Sequence, residues 1–163
     1  MAADTTVATA RGYVMVFQNG AKANTMIVAI SQMNALAVLA ASVAHFVLGG
    51  IWFVGIVAKR YPEALGIADR PQVKPGALFL LGPFLCSALT IATTAILFHA
   101  LGITTYGDAL ILGGIVGVGY LVPMTLNIAI NPLLPRPFYY TLLNAPYFIA
   151  GSIMASAILV ALG

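Results

Sequence analysis

Two histidines, a scatter of hydroxyls and a group of three asparagines stand out among the side chains with chemistry to offer inside the long apolar stretches of this sequence. His45 falls near the middle of an uncharged apolar run and therefore near the middle of any membrane it crosses. An ionisable group at that depth is expensive, and it is a functional candidate by default. Its imidazole could ligate a pigment or haem, relay a proton or meet a ligand. Ser87, Thr90, Tyr120 and Ser152 come at comparable depth on the other runs. Ser42, His45 and Gly49 share one helical face, which turns His45 toward neighbouring helices. The opposing reading is a neutral imidazole hydrogen-bonded between helices, and the balance favours it. A haem held by two histidines needs both at one height, whereas His99 differs from His45 by roughly 10 Å along the helical rise. A single axial His45 stays open, although no cofactor is required by the sequence. His99 is expected to meet Asp108 across a short turn, a structural pairing.

A second polar group gathers toward one end. Asn127 and Asn131 are one helical turn apart, Asn144 follows at similar depth on the next run, and Trp52 lies near in height. With prolines breaking the adjacent helices, these amides could line a polar cavity. Interhelical hydrogen bonding plus an aromatic belt of Trp52, Tyr61, Tyr139 and Tyr140 is the simpler account. Gly113-x-x-x-Gly117 and Gly151-x-x-x-Ala155 are close-packing motifs that serve this bundle or a partner helix. The glycine surplus at 113, 114, 117 and 119 predicts that Gly113 and Gly117 line an intermolecular or lipid contact. No His-Glu-x-x-His, phosphate loop, cysteine pair or metal-ligand set is present, so no metal is expected. No acidic residue lies within any span, against a proton- or sodium-coupled pump. The reading is non-catalytic.

The elements that must position these groups are set by charge. Hydrophobic residues make up 61% of the chain and charged ones 7%, with a mean hydropathy of +1.02. A soluble domain of 163 residues would need several times more charge. The charged residues sit in the N-terminal tail and beside the loops, leaving uncharged runs at 23–58, 75–107, 109–135 and 137–163. Crossing a hydrocarbon core of roughly 30 Å takes about 20 residues, so each run spans once. The predicted fold is an all-α integral membrane four-helix bundle, with spans at about 35–58, 77–102, 109–130 and 138–162. Residues 1–33 form a polar or interfacial extension ahead of this 34–163 domain. Asn34 is the candidate N-cap of the first span, residues 25–33 either prolong that helix or lie along the interface, and Tyr61-Pro62-Glu63 ends it. Gly82-Pro83 and Pro146 are expected kinks, and Asp108 opens the third helix.

Lys59, Arg60, Arg70, Lys74 and Arg136 fall in two loops on one side, while the turn before Asp108 has no basic residue. The positive-inside rule then predicts both termini outside, in a bacterial cytoplasmic membrane, with Arg11 and Lys22 pulling the other way. Seven dispersed basic side chains, for a net charge of +3, are no nucleic-acid footprint. The lone Cys86 rules out an internal disulfide. Asp4 before any basic residue and a short apolar core argue against a cleaved signal, and Met1, Met26 and Met33 are all candidate starts.

The first span reads Asn34-Ala-Leu-Ala-Val-Leu-Ala-Ala, then His45-Phe-Val-Leu-Gly49-Gly-Ile-Trp52-Phe53. In its Asn, its small residues, Gly49 and the Trp52–aromatic pair it resembles the domain-of-unknown-function family 1761, small bacterial four-helix membrane proteins. The likeness fades over the later spans, and this chain differs in its long N-terminal extension and in lacking a second tryptophan after Trp52. The resemblance implies a fold and a membrane location, and no activity. Three functional readings follow. The leading one is an accessory or structural subunit of a larger membrane assembly, touching lipids and other membrane subunits. The second is a small-molecule or lipid carrier acting as a homo-oligomer. The third is a pigment- or haem-binding subunit using His45.

Overall fold

The computed structural model describes residues 27–70 and 76–163, and these are helices and short turns without a strand. Four helices are long and apolar enough to cross a membrane: α1 (Ala35–Ile56), α3 (Ala77–Leu101), α4 (Tyr106–Ala129) and α5 (Pro137–Leu162). A short α2 (Tyr61–Leu65) sits in the loop between the first two. The chain is an all-α membrane bundle, and its outward faces carry bare apolar side chains such as Leu78, Leu89, Val54 and Leu142. Water would not tolerate such a coat, and lipid requires it. The tail through Met26, with Arg11, Lys22 and two of the three candidate starts, lies outside the described residues, as do residues 71–75.

The helix ends follow local chemistry. Asn34 holds an extended backbone and its Oδ1 accepts from the N–H groups of Leu36 (3.0 Å) and Ala37 (3.2 Å). That cap breaks α1 from a helical turn at 27–31, so the residues before Asn34 do not simply prolong the span. The same side chain donates from Nδ2 to the carbonyl of Leu162 at 2.7 Å. One amide thus caps the start of α1 and the end of α5. The third span opens earlier than Asp108 suggested. Thr105 is its N-cap, accepting from the Asp108 N–H at 3.2 Å and donating to Asp108 Oδ2 at 2.8 Å. Thr105-Tyr-Gly-Asp108 is a Thr-x-x-acid capping box, a signal that the sequence itself carries. It also occupies the carboxylate expected to pair with His99, which instead borders a cavity at this end of the bundle.

Tyr61-Pro-Glu does not merely end the first helix. With Pro62 in its first turn, where a missing N–H is harmless, the segment forms α2 and stops at Gly66, φ 69°. A Cβ at Gly66 would lie 2.7 Å from Pro135 Cγ, so only glycine meets both demands, and the two basic loops touch there.

α5 is the hub. It packs along α1 and along the whole of α4, while α3 leans mainly on α1 and barely meets α4. At the short-turn end Ala37, Ala41, Ile91, Ala95, Phe98, Ala109, Ala155 and Leu159 form one core. At the basic end Val57, Ala64 and Leu143 form a second, ringed by Trp52, Phe53, Tyr61, Tyr139 and Tyr140. Two stretches, Ile51–Ile56 and Ile115–Leu121, are wound as wider π-turns. The second runs into Pro123, whose missing N–H leaves a carbonyl one turn earlier unpaired and favours such rewinding.

Candidate functional site

Between the two cores α1 and α5 meet through an interlocked pair of aromatic rings. His45 is 5% exposed, half-way along the 22-residue first span. Its Nδ1 lies 3.0 Å from the Tyr147 hydroxyl, and the two rings are 4.9 Å apart. Each ring rests on a glycine of the opposite helix. A Cβ at Gly151 would come 2.5 Å from His45 Nε2, and one at Gly49 would come 3.1 Å from the Tyr147 oxygen. Gly49 and Gly151 are therefore seats for side chains, and the shared face of Ser42, His45 and Gly49 does turn inward.

The expected intermolecular role of Gly113 and Gly117 is corrected by the same geometry. A Cβ at Gly113 would lie 2.9 Å from both Ile153 Cα and the Ser152 carbonyl oxygen, and one at Gly117 would lie 2.9 Å from Ile149 Cα. Both glycines face the backbone of α5 within this chain. A helix that contacts the hub along its length uses its small residues internally, so a surplus of glycine is no sign of a free face. Gly114, by contrast, would place a Cβ with no atom within 4 Å.

Because α3 and α4 stay apart, the fourth side of the bundle is a cleft of about 180 Å³. Its lining alternates polar and apolar groups. α1 supplies His45; α3 supplies Cys86, Ser87, Thr90, Ile91 and Thr94; α4 supplies Val116 and Leu121 from its π-wound segment; α5 supplies Phe148, Ser152, Ala155 and Ser156. Cys86 is exposed, so the cleft opens sideways at that point, toward lipid rather than toward either face. Of the groups expected at this depth, His45, Ser87, Thr90 and Ser152 come together. Tyr120 does not: it is 69% exposed and faces outward.

Most of the hydroxyls are satisfied locally. Thr90 donates to the Cys86 carbonyl (3.0 Å), Thr94 to that of Thr90 (2.9 Å) and Ser152 to that of Phe148 (2.7 Å), leaving oxygen lone pairs free to accept. Two groups differ. Ser156 Oγ is fully buried and has no hydrogen-bond partner among the described residues. His45 Nε2 likewise makes no hydrogen bond among the described residues, while its Nδ1 is taken by the Tyr147 hydroxyl. If Tyr147 donates to Nδ1, Nε2 carries the proton and is a donor; in the other tautomer it is an acceptor. The site can thus give and take hydrogen bonds with a neutral molecule, and it holds no charge to match an ion.

The asparagine cavity does not form. Asn127 is exposed on α4. Asn131 is consumed by its own turn, donating to the Ile128 carbonyl at 2.6 Å and accepting from the Leu133 N–H at 2.8 Å. Asn144 is buried and donates to the Tyr140 carbonyl at 2.7 Å. Trp52 donates from Nε1 to the Leu143 carbonyl at 2.9 Å, where Pro146 loosens the helical bonding of α5. The hydrogen bonds of Asn131 and Asn144 stay within their own turn or helix instead of joining two helices, and Asx-turn chemistry explains Asn131 better than a cavity does. Sequence reasoning did not place Tyr147, Cys86, Thr94 or Ser156 at the site. The spacings Thr90-x-x-x-Thr94 and Ser152-x-x-x-Ser156 put hydroxyls on single helical faces, and could have found two of them.

No group of three His, Cys, Asp or Glu side chains suited to a metal ion occurs among the described residues. No curated protein and no solved structure matches the chain. The family DUF1761, described as proteins of unknown function, matches residues 36–160, from the start of α1 almost to the end of α5. The chain belongs to that family.

Proposed function

We propose that this membrane protein binds a small uncharged molecule or lipid within the bilayer, in the lateral cleft between α3 and α4, without catalysing its conversion. The observation that carries the reading is Ser156: a fully buried hydroxyl without a partner among the described residues, on a residue that lines the cleft. A lining of imidazole and hydroxyls with no carboxylate or cationic side chain suits binding of a neutral ligand better than acid–base or ion-coupled work. This is the carrier reading narrowed to its binding step.

The alternatives lose support on the same geometry. The accessory-subunit reading drew on scarce chemistry, little mass outside the membrane, a polar tail and glycine faces free for a partner; of these the last is weakened, since Gly113, Gly117 and Gly151 all face this chain's own helices. A haem or large pigment on His45 does not fit. Pockets for drug-sized ligands span roughly 300–1,000 Å³, and the cleft is about 180 Å³. The membrane we assign is the bacterial cytoplasmic one, with the basic loops inside and both termini outside, on the distribution of Lys59, Arg60, Arg70 and Arg136. A reporter fused after Gly163 and active only in the cytoplasm would reverse that orientation.

The test is extraction in a mild detergent followed by mass spectrometry of bound small molecules. The wild type is expected to bring down a small molecule near one per chain, and Cys86→Phe, which plugs the mouth without entering either core, is expected to lose it. Equal recovery from both proteins, or foreign subunits in place of a small molecule, would overturn the proposal.

A further inference from the structure

The chemistry of the cleft restricts what could occupy it, granted that it is a binding site. Its imidazole sits at mid-bilayer, since His45 is half-way along α1, and Ser156 follows the glycine under that ring by just over a turn of α5, still well inside the span. No span contains Lys, Arg, Asp or Glu apart from Asp108 in the first turn of α4, so a charged or zwitterionic head drawn to mid-bilayer would be uncompensated. The head must therefore be neutral. It must also be small, since the cleft holds about 180 Å³ shared with Ile91, Leu121 and Phe148. The exit is sideways past exposed Cys86, between helices that barely touch, into hydrocarbon. Whatever projects from the cleft there must be apolar.

We propose that the cleft takes an uncharged single-chain amphiphile, its hydroxyl-bearing head hydrogen-bonded at the His45–Ser156 wall and its hydrocarbon chain leaving between α3 and α4. The inference deepens the binding reading and rests on it. A two-chain phospholipid is a different occupant on two grounds. Its head belongs at the interface, and its bulk exceeds a gap whose floor is Ile91 and whose rim is Cys86. Ser156 is the discriminating contact. Its Oγ can donate to or accept from an alcohol, and the donors of Thr90, Thr94 and Ser152 are already committed to backbone carbonyls.

The probe is hexadecanol bearing a photoactivatable diazirine on its chain, added to the full-length protein in phosphatidylcholine nanodiscs. Labelling is expected on α3 and α4 around Cys86 and Val116. Unlabelled hexadecanol should compete; butanol at the same concentration should not, and neither should hexadecyltrimethylammonium, which keeps the chain but carries a fixed charge. Ser156→Ala removes one oxygen without adding bulk beside Gly113, and should weaken labelling about five-fold, the worth of one hydrogen bond. Cys86→Phe should abolish it. Competition by butanol or by the charged amphiphile as good as that by hexadecanol, with Cys86→Phe still blocking, would overturn the ligand class and leave the binding site standing. Labelling spread evenly over the lipid-facing surface and indifferent to Cys86→Phe would overturn both. Labelling blocked by Cys86→Phe and unchanged in Ser156→Ala would place the head elsewhere and overturn the proposed contact.

Discussion

Adjacent glycines on α4 offer a matched pair of perturbations. Gly113 and Gly114 both have helical neighbours, so alanine at either adds the same helix propensity, up to about 1 kcal/mol over glycine. Their surroundings differ completely. The new methyl at 113 would meet Ile153 Cα and the Ser152 carbonyl oxygen, each at 2.9 Å, and Ser156 Oγ at 2.8 Å; at 114 it would meet nothing within 4 Å. Two of the three atoms at 113 are backbone and cannot rotate away, so α4 and α5 must separate. Overpacking of that kind costs about 1–3 kcal/mol. The propensity gain cancels in the comparison, and Gly113→Ala should be less stable than Gly114→Ala by about that amount. Reversible unfolding in mixed micelles titrated with dodecyl sulfate measures the difference. If Gly113→Ala is as stable as Gly114→Ala, the contact between α4 and the α5 backbone is wrong, and the role of Gly113 as an outward-facing surface returns.

Asn34→Ala should lower stability by about 1 kcal/mol through loss of the cap, whereas Asn34→Asp should keep the cap and lose only the donation to Leu162. Amide exchange in the last turn of α5 should therefore rise in both variants. Trp52→Phe should destabilise by about 0.6 kcal/mol, typical of one interhelical hydrogen bond in a bilayer, measured in the same micelle titration; no change would remove the Trp52–Leu143 bond from the account. Burial, with the Tyr140 hydroxyl 3.2 Å away, pushes the phenol of Tyr61 well above its ordinary value of 10.0. The unfolded chain then loses this proton first, so the group's contribution is whole below pH about 10 and falls as pH rises above it. Tyr61→Phe should flatten that alkaline loss in a pH series of unfolding midpoints, and an unchanged slope would contradict the burial.

The spans are legible because membrane insertion is read from charge-free length, and four such runs leave little freedom in the fold. Caps are legible where the sequence breaks cleanly, as at Asn34, and obscure at Thr105, whose capping box sits inside a turn short enough to ignore. The depth of His45 follows from counting residues, and its inward face from its spacing to Ser42 and Gly49. Tyr147 escapes notice, because nothing local in α5 announces that its ring will sit over Gly49 of a helix nearly a hundred positions earlier. The use of each glycine is also unreadable. Gly113 and Gly114 are identical in sequence terms, and only the position of the α5 backbone distinguishes them. The cleft itself arises from α3 leaning on α1 instead of α4, a choice of neighbours that hydropathy does not encode.

The central claim, that His45 borders a cleft reachable from lipid, is tested most directly by the imidazole itself. The chain has two histidines, so nitrogen-15 resonances of His45 can be assigned against His99→Gln in nanodiscs. Titration with hexadecanol should move the Nε2 resonance of His45, while Nδ1 stays on Tyr147, and Cys86→Phe should abolish the movement. A His45 Nε2 resonance that ignores hexadecanol up to saturation of the bilayer would contradict the account.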